Sequence, residues 1–173
     1  IAKLGSWQWQ PEGDRFEVLR FSTDAELLFG QMSGATRANR ERAEDLVKSL
    51  KPVGGTAIDE ALKKALALQA GHEHDSGSRP LVVIFLTDGR PTVRVTGKDE
   101  IVANVKNANA ARSRVFCFGI GTDVNTHLLD KITEETRAFS QYVLPDEDLE
   151  VKVSGFFAKI NEPVLANPTL DFG

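Results

Sequence analysis

The chain of 173 residues holds one cysteine, Cys117. A single thiol excludes an internal disulfide framework and any CxxC metal or redox motif. Cys117 lies inside the apolar run VFCFGI and reads as a small buried hydrophobe. Nowhere do apolar residues continue for the about 18 positions that a membrane span needs, so no span is expected in this chain. Residues 1–10, IAKLGSWQWQ, lack the ordered charged, apolar and cleavage regions of a secretory signal. Basic tracts are missing too. The balance of 21 Lys and Arg against 25 Asp and Glu leaves a formal charge of -4, which argues against nucleic acid and anionic membrane surfaces as partners. There is no GxGxxG, no GxxxxGK[ST] and no GxSxG, and no His, Cys or Ser stands beside an evident base. The known phosphate cradles and nucleophile elbows are therefore absent, and no enzyme activity is expected.

What is present is globular: 41% hydrophobic and 27% charged residues, enough for one domain with a sizeable core. The most informative segment is 81–89, LVVIFLTDG. An unbroken run of Leu, Val, Ile and Phe is the pattern of a strand covered on both faces. A carboxylate just past the C-terminal end of such a strand stands where α/β proteins place their ligand sites. A second run, 115–120, and a shorter one, 139–143, read as further strands. Helical periodicity marks 38–50 (Ala43, Leu46, Val47 and Leu50 on one face), 57–69, 98–112 and a helix starting at Asn125 or Thr126. A last helix, 148–160, is expected to be capped by Asp146 and to turn Leu149, Val153, Phe156, Phe157 and Ile160 inward. Near the start, 16–22 and 25–29 are separated by a link that allows only an antiparallel hairpin. Strands alternating with helices predict an α/β fold: a doubly wound, mostly parallel, Rossmann-like sheet with helices on both faces and one short antiparallel edge strand.

Three loops are placed to share one end of that sheet: 52–56 (PVGGT), 88–91 (DGRP) and 121–123 (GTD). The hydroxyl of Thr56 and the carboxylate of Asp88 are hard oxygen donors, suited to Mg²⁺, Mn²⁺ or Ca²⁺ rather than zinc. A lone Thr before a helix is usually a cap, and a lone Thr-Asp-Gly is usually a turn. It is their order, spacing and strand context together that point to a site. His72 and His74 lie in the polar stretch 71–78 without a third ligand, and His127 reads as surface. Trp7 and Trp9 read as packing residues.

This combination resembles the von Willebrand factor type A (VWA) domain. In that family three loops build a metal-ion-dependent adhesion site (MIDAS) from an Asp-x-Ser-x-Ser loop, a Thr and an Asp. Gly54-Gly55-Thr56-Ala57-Ile58 resembles the Thr loop and Thr87-Asp88-Gly89 the Asp loop, so Thr56 and Asp88 are the metal ligands that the resemblance implies. Asp14-Arg15-Phe16 with Arg20-Phe21-Ser22-Thr23, the segment FGIGTDV at 118–124, and FFAKI at 156–160 followed by Pro163-Val164-Leu165 resemble the heavy chains of inter-alpha-trypsin inhibitor and their bacterial relatives. The Asp-x-Ser-x-Ser loop, with the first strand of the family's sheet, has no counterpart here. Asp75-Ser76-Gly77-Ser78 has similar letters at the wrong place and spacing.

The resemblance implies a protein-binding or adhesion module that meets a protein or matrix partner through a carboxylate of that partner. Its MIDAS is expected to be incomplete, so Mg²⁺ (or Mn²⁺ or Ca²⁺) binds weakly or not at all. The alternatives are a structural spacer with a vestigial site and, further off, a metal-dependent hydrolase or phosphotransfer enzyme. Family members are secreted, periplasmic or on the cell surface, and that is the expectation here. The expected organisation is a remnant at 1–13, a VWA-like domain at 14–162 and an extended exit segment at 163–173 toward a following domain.

Overall fold

The computed structural model describes residues 13–51, 54–70 and 81–161. The readings made for 1–10 (Trp7 and Trp9 included), for the stretch 71–78 with His72, His74 and Asp75, and for the exit segment 163–173 lie outside the described residues.

Two short antiparallel pairs open the described chain. β1 (Arg15–Phe16) pairs with β4 (Ser33–Gly34), and β2 (Leu19–Phe21) pairs with β3 (Ala25–Leu27). The expected hairpin is thus present but short. At its open end the Leu28 N–H still donates to the Val18 carbonyl, and the Glu17 carboxylate accepts from the N–H groups of Val18, Leu28 and Phe29, so side-chain bonds take over where the ladder stops. α1 (Arg37–Ser49) follows, with Thr36 as its cap accepting from the Asn39 N–H. Only Ala43 of α1 is buried. Val47 and Leu50, expected inward, are 56% and 48% exposed; α1 is held instead through its first half, where Asn39 donates to the Gly34 carbonyl and Arg42 covers the ring of Phe29.

The centre is a three-stranded parallel sheet in the order β5 (Val82–Thr87), β6 (Arg114–Ile120), β7 (Ser140–Val143). The connections are helical: α2 (Ile58–Ala70) precedes β5, α3 (Lys98–Ala108) leads into β6, α4 (Thr126–Glu135) into β7, and α5 (Leu149–Asn161) closes the chain. β6 is covered on both sides. Val115 and Cys117 face a cluster with Ile58, Leu62, Ile101, Val105, Leu128 and Ile132 from α2, α3 and α4. Phe116 and Phe118 face Phe156 of α5, with ring centroids 6.2 and 5.2 Å away in edge-to-face contacts. Alternation along one strand therefore feeds two helix layers, which makes the architecture a doubly wound α/β fold. Burial, with the neighbouring Asp130 adding to it, raises the Cys117 thiol pKa far above its ordinary value, in keeping with a packed, unreactive residue.

β5 departs from the expectation of full cover. Phe85 and Thr87 are buried, but Val82 is 40% and Leu86 50% exposed. α5 sits over β6; on β5 it packs against Ile84 and borders Leu86, leaving the rest of that face open. No strand among the described residues pairs with the outer edge of β5. Phe21 of β2 stacks on Phe85 at 5.1 Å and ties the hairpin to that side by side chains alone.

Element ends also shift. α3 stops at Ala108, since the Asn109 side chain both accepts from the Ser113 N–H and donates to the Ser113 carbonyl, folding the chain back early. Asn125, one of the two expected starts, caps α4 by accepting from the Leu128 N–H. The cap of α5 is Asp148 and not Asp146: its Oδ1 accepts from the N–H groups of Glu150 and Val151. Leu149, expected inward, is 47% exposed, since it lies in the first turn beside that cap.

Candidate functional site

The loops at the C-terminal ends of β2, β5 and β6 meet the loop that precedes α2. Two glycines make this approach possible. Gly54 has φ +83°, a conformation glycine adopts without steric cost, and a Cβ there would stand 2.7 Å from Thr23 Oγ1. A Cβ on Gly55 would stand 2.5 Å from Val93 Cγ1. The backbone between them is clasped from two sides. Gly55 N–H donates to Thr23 Oγ1 at 3.2 Å and Ala57 N–H to the Ser22 carbonyl at 2.8 Å. On the other side Thr56 N–H donates to Thr92 Oγ1 at 2.8 Å, and Thr92 N–H to the Thr56 carbonyl at 3.2 Å.

Thr56 is half-buried and Asp88 exposed. Thr56 Oγ1 lies 3.5 Å from where a side chain on Gly89 would begin, so the hydroxyl faces the Asp88–Gly89 turn. Thr56 stands one residue before the cap position of α2, which is Ala57, whose carbonyl receives the Ala61 N–H. The hydroxyl is therefore not spent as a helix cap. The Asp88 carboxylate makes no hydrogen bond or ion pair with any described residue. Arg90 Nε donates to the Asp123 carbonyl at 3.3 Å, which joins the third loop to the second.

Sequence reading missed the residues that hold this end together. Thr23 and Thr92 are hydrogen-bond acceptors for the Thr56 loop. Arg94 pairs with Asp24 of the β2–β3 turn and, at 2.8 Å, with Glu60 of α2. The segment 90–96, RPTVRVT, carries no motif for such roles; only its short polar side chains after a strand end hint at them.

As a donor set for a cation, Thr56 and Asp88 fit in kind, since both offer hard oxygen. By themselves they supply two oxygens. Among the described residues no three His, Cys, Asp or Glu side chains converge, whereas Mg²⁺ and Ca²⁺ take about six or more oxygens.

A family model of the von Willebrand factor type A domain matches residues 1–158. The chain belongs to that family. Among similar proteins, inter-alpha-trypsin inhibitor heavy chain H1 of Mesocricetus auratus is 28% identical over 163 residues, covering 92% of this chain and 18% of that protein. Human heavy chain H4 is also 28% identical over 163 residues, with 92% and 17% covered. The chain thus spans less than a fifth of the length of these curated relatives. Among solved structures, a von Willebrand factor type A protein from Catenulispora acidiphila superposes with a TM-score of 0.70 at 22% identity, covering 86% of this chain and 33% of that one. Proximal thread matrix protein 1 of the mussel byssus, with a zinc-occupied MIDAS motif, gives 0.57 at 19% identity, covering 87% and 36%. These likenesses show the VWA fold, with the Thr56 and Asp88 loops at the C-terminal end of its parallel sheet. No helix among the described residues is long and apolar enough to cross a membrane.

Proposed function

We propose that this VWA domain is a non-catalytic binding module, and that Thr56 and Asp88 are the two metal ligands it contributes to an incomplete MIDAS. The observation that carries this reading is the clasped Thr56 loop, which turns a hydroxyl not used as a cap toward an exposed carboxylate with no described partner. A hard cation held there by two protein oxygens keeps most of its positions for water. One such position selects an anionic oxygen, so the partner is a protein or matrix component presenting a carboxylate. The family's setting makes a secreted, periplasmic or cell-surface place of action the one that matches this role. The domain limits that go with it are a VWA-like unit at 14–162, a remnant before it and an exit segment after it.

Calorimetry of the chain with Mg²⁺ and Mn²⁺ tests the reading. The expected affinity is about millimolar or weaker, the lower end for hard-cation sites, and Asp88→Ala or Thr56→Ala removes it. Micromolar binding overturns the incompleteness of the site. A carboxylate-bearing peptide is expected to bind only with metal present and only when Asp88 is intact. If it binds equally to wild type and Asp88→Ala, the Thr56–Asp88 loops are not the binding site; if it binds to neither, the domain is a spacer and those loops are vestigial.

A further inference from the structure

At the other end of the parallel sheet, a cleft of about 340 Å³ opens between the C-terminal ends of α3 and α4. Lys106, Arg112, Ser113, Glu135, Thr136 and Arg137 line it. The seven residues of β6 separate it from the Thr56 and Asp88 loops by roughly 20 Å.

Arg112 has φ 56° and Arg137 φ 55°. Among the described residues only three non-glycine residues take this left-handed backbone, and two of them meet at this cleft. Arg137 stands just past the cap of α4. Its N–H donates to the Glu134 carbonyl at 3.3 Å, and the Ala138 N–H donates to the Thr133 carbonyl at 2.8 Å. That is the helix-ending arrangement in which glycine is the favoured residue. Arg112 closes the turn after α3, its N–H donating to the Asn109 carbonyl at 3.0 Å. Helix electrostatics favours cations near a C-terminus. A cation inside the last helical turn satisfies that preference with no left-handed backbone, so the dipole accounts for the charge and not for its position. Strained backbone of this kind persists where the side chain it presents is used.

The side chains point the same way. Neither guanidinium makes a hydrogen bond or ion pair with a described residue. Lys106 is held by Glu135 at 3.3 Å, which leaves Arg112 and Arg137 as two cations with no carboxylate of the lining to balance them. Thr136 Oγ1 is spent on the Ile132 carbonyl and the Val115 N–H, at 2.9 and 3.2 Å. Ser113 differs. The residue is 4% exposed and its hydroxyl has no described partner. No fully enclosed polar side-chain atom among the described residues lacks a partner, so this hydroxyl opens on the cleft it lines.

We propose that the cleft binds a tetrahedral oxyanion, the head group of a sulfate or phosphate ester. The forked donors of Arg112 and Arg137 grip it, and Ser113 donates a further hydrogen bond. The volume exceeds what one oxyanion fills and is of the size that takes a small ligand carrying one. This site is independent of the Thr56 and Asp88 loops.

The test is titration of the whole chain with sodium sulfate and sodium phosphate, followed by amide NMR shifts and thermal unfolding, against sodium chloride at matched ionic strength. Saturable shifts at Arg112, Ser113 and Arg137 are expected for the oxyanions and not for chloride. Sulfated and phosphorylated monosaccharides then distinguish the two sources of the head group. The R112G/R137G variant carries glycine where the backbone prefers it, so its Tm is expected to rise while the affinity falls at least about tenfold. The R112K/R137K variant keeps the charge, loses the fork and binds with intermediate strength. A response to sulfate and phosphate no larger than that to chloride overturns the proposal. So does an affinity unchanged in R112G/R137G.

Discussion

Gly55 concentrates the geometry of the candidate site in one missing side chain. A Cβ there meets Val93 Cγ1 at 2.5 Å and Thr92 Oγ1 at 3.0 Å, and Thr92 is the group that anchors the Thr56 N–H. Gly55→Ala is expected to destabilise the fold by about 1–3 kcal/mol, the usual cost of forcing a methyl group into an occupied place. Urea unfolding measures that loss. The same shift displaces Thr56 from the Asp88 turn, so any Mg²⁺ heat seen for wild type is expected to disappear in Gly55→Ala. A variant as stable as wild type, with metal heat intact, shows that the two loops are not wedged as described. The loops of Thr56 and Asp88, which the structure brings side by side, were readable in the sequence because a Gly-Gly-Thr before a helix and an Asp-Gly after an apolar strand are local patterns. Thr23 and Thr92 were not. Each acts on a residue more than thirty positions away, and a threonine hydroxyl leaves no periodic trace.

At the scale of elements, α5 shows both what sequence reveals and what it hides. Its inward face of Val153, Phe156, Phe157 and Ile160 follows from spacing, and Phe156 is buried as that spacing requires. Its starting residue depends on which of two nearby carboxylates finds the free amides, and Asp148 does so. The approach to the helix is held by a third carboxylate. Glu147 accepts from the Leu144 N–H at 2.9 Å and pairs with Lys152 at 2.7 Å. The Lys152 hydrogen bond first, and the Leu144 amide second, lower the Glu147 pKa below the ordinary glutamate value. A lowered folded-state value means that the charged form is favoured in the fold. The contribution is therefore complete above the ordinary glutamate range and is lost as pH falls through the lowered value. Glu147→Gln is expected to be less stable than wild type at neutral pH, with the gap closing on acidification. Paired urea curves at neutral and acid pH, with an NMR titration of the Glu147 carboxyl, check the sign. A gap that widens toward acid refutes the pairing.

For the whole molecule, the decisive fact is that β6 belongs to two cores at once. Its alternation of Val115 and Cys117 against Phe116 and Phe118 was visible as an apolar run, and from it the doubly wound architecture could be inferred. The equally apolar run at β5 misled in part. Periodicity reports what a strand can bury, whereas Val82 and Leu86 are exposed because no described strand pairs with the outer edge of β5 and α5 lies mainly over β6, touching that face of β5 only in part. Since one strand carries both layers, the layers are expected to unfold together. Leu128 is fully buried in the α2–α3–α4 cluster and Phe156 is 1% exposed in the α5 cluster. Leu128→Ala is expected to cost about 2–5 kcal/mol and Phe156→Ala about 3–5 kcal/mol, as large-to-small changes in packed cores do. Each is expected to lower the stability of the opposite layer as well as its own. Native-state amide exchange reads both layers separately. In Phe156→Ala the most protected amides of α3 and α4 should lose protection together with those of α5, by the same free energy. If α3 and α4 keep wild-type protection while α5 opens, β6 does not couple the two layers, and the sheet is a scaffold for one core with a helix loosely laid on its back.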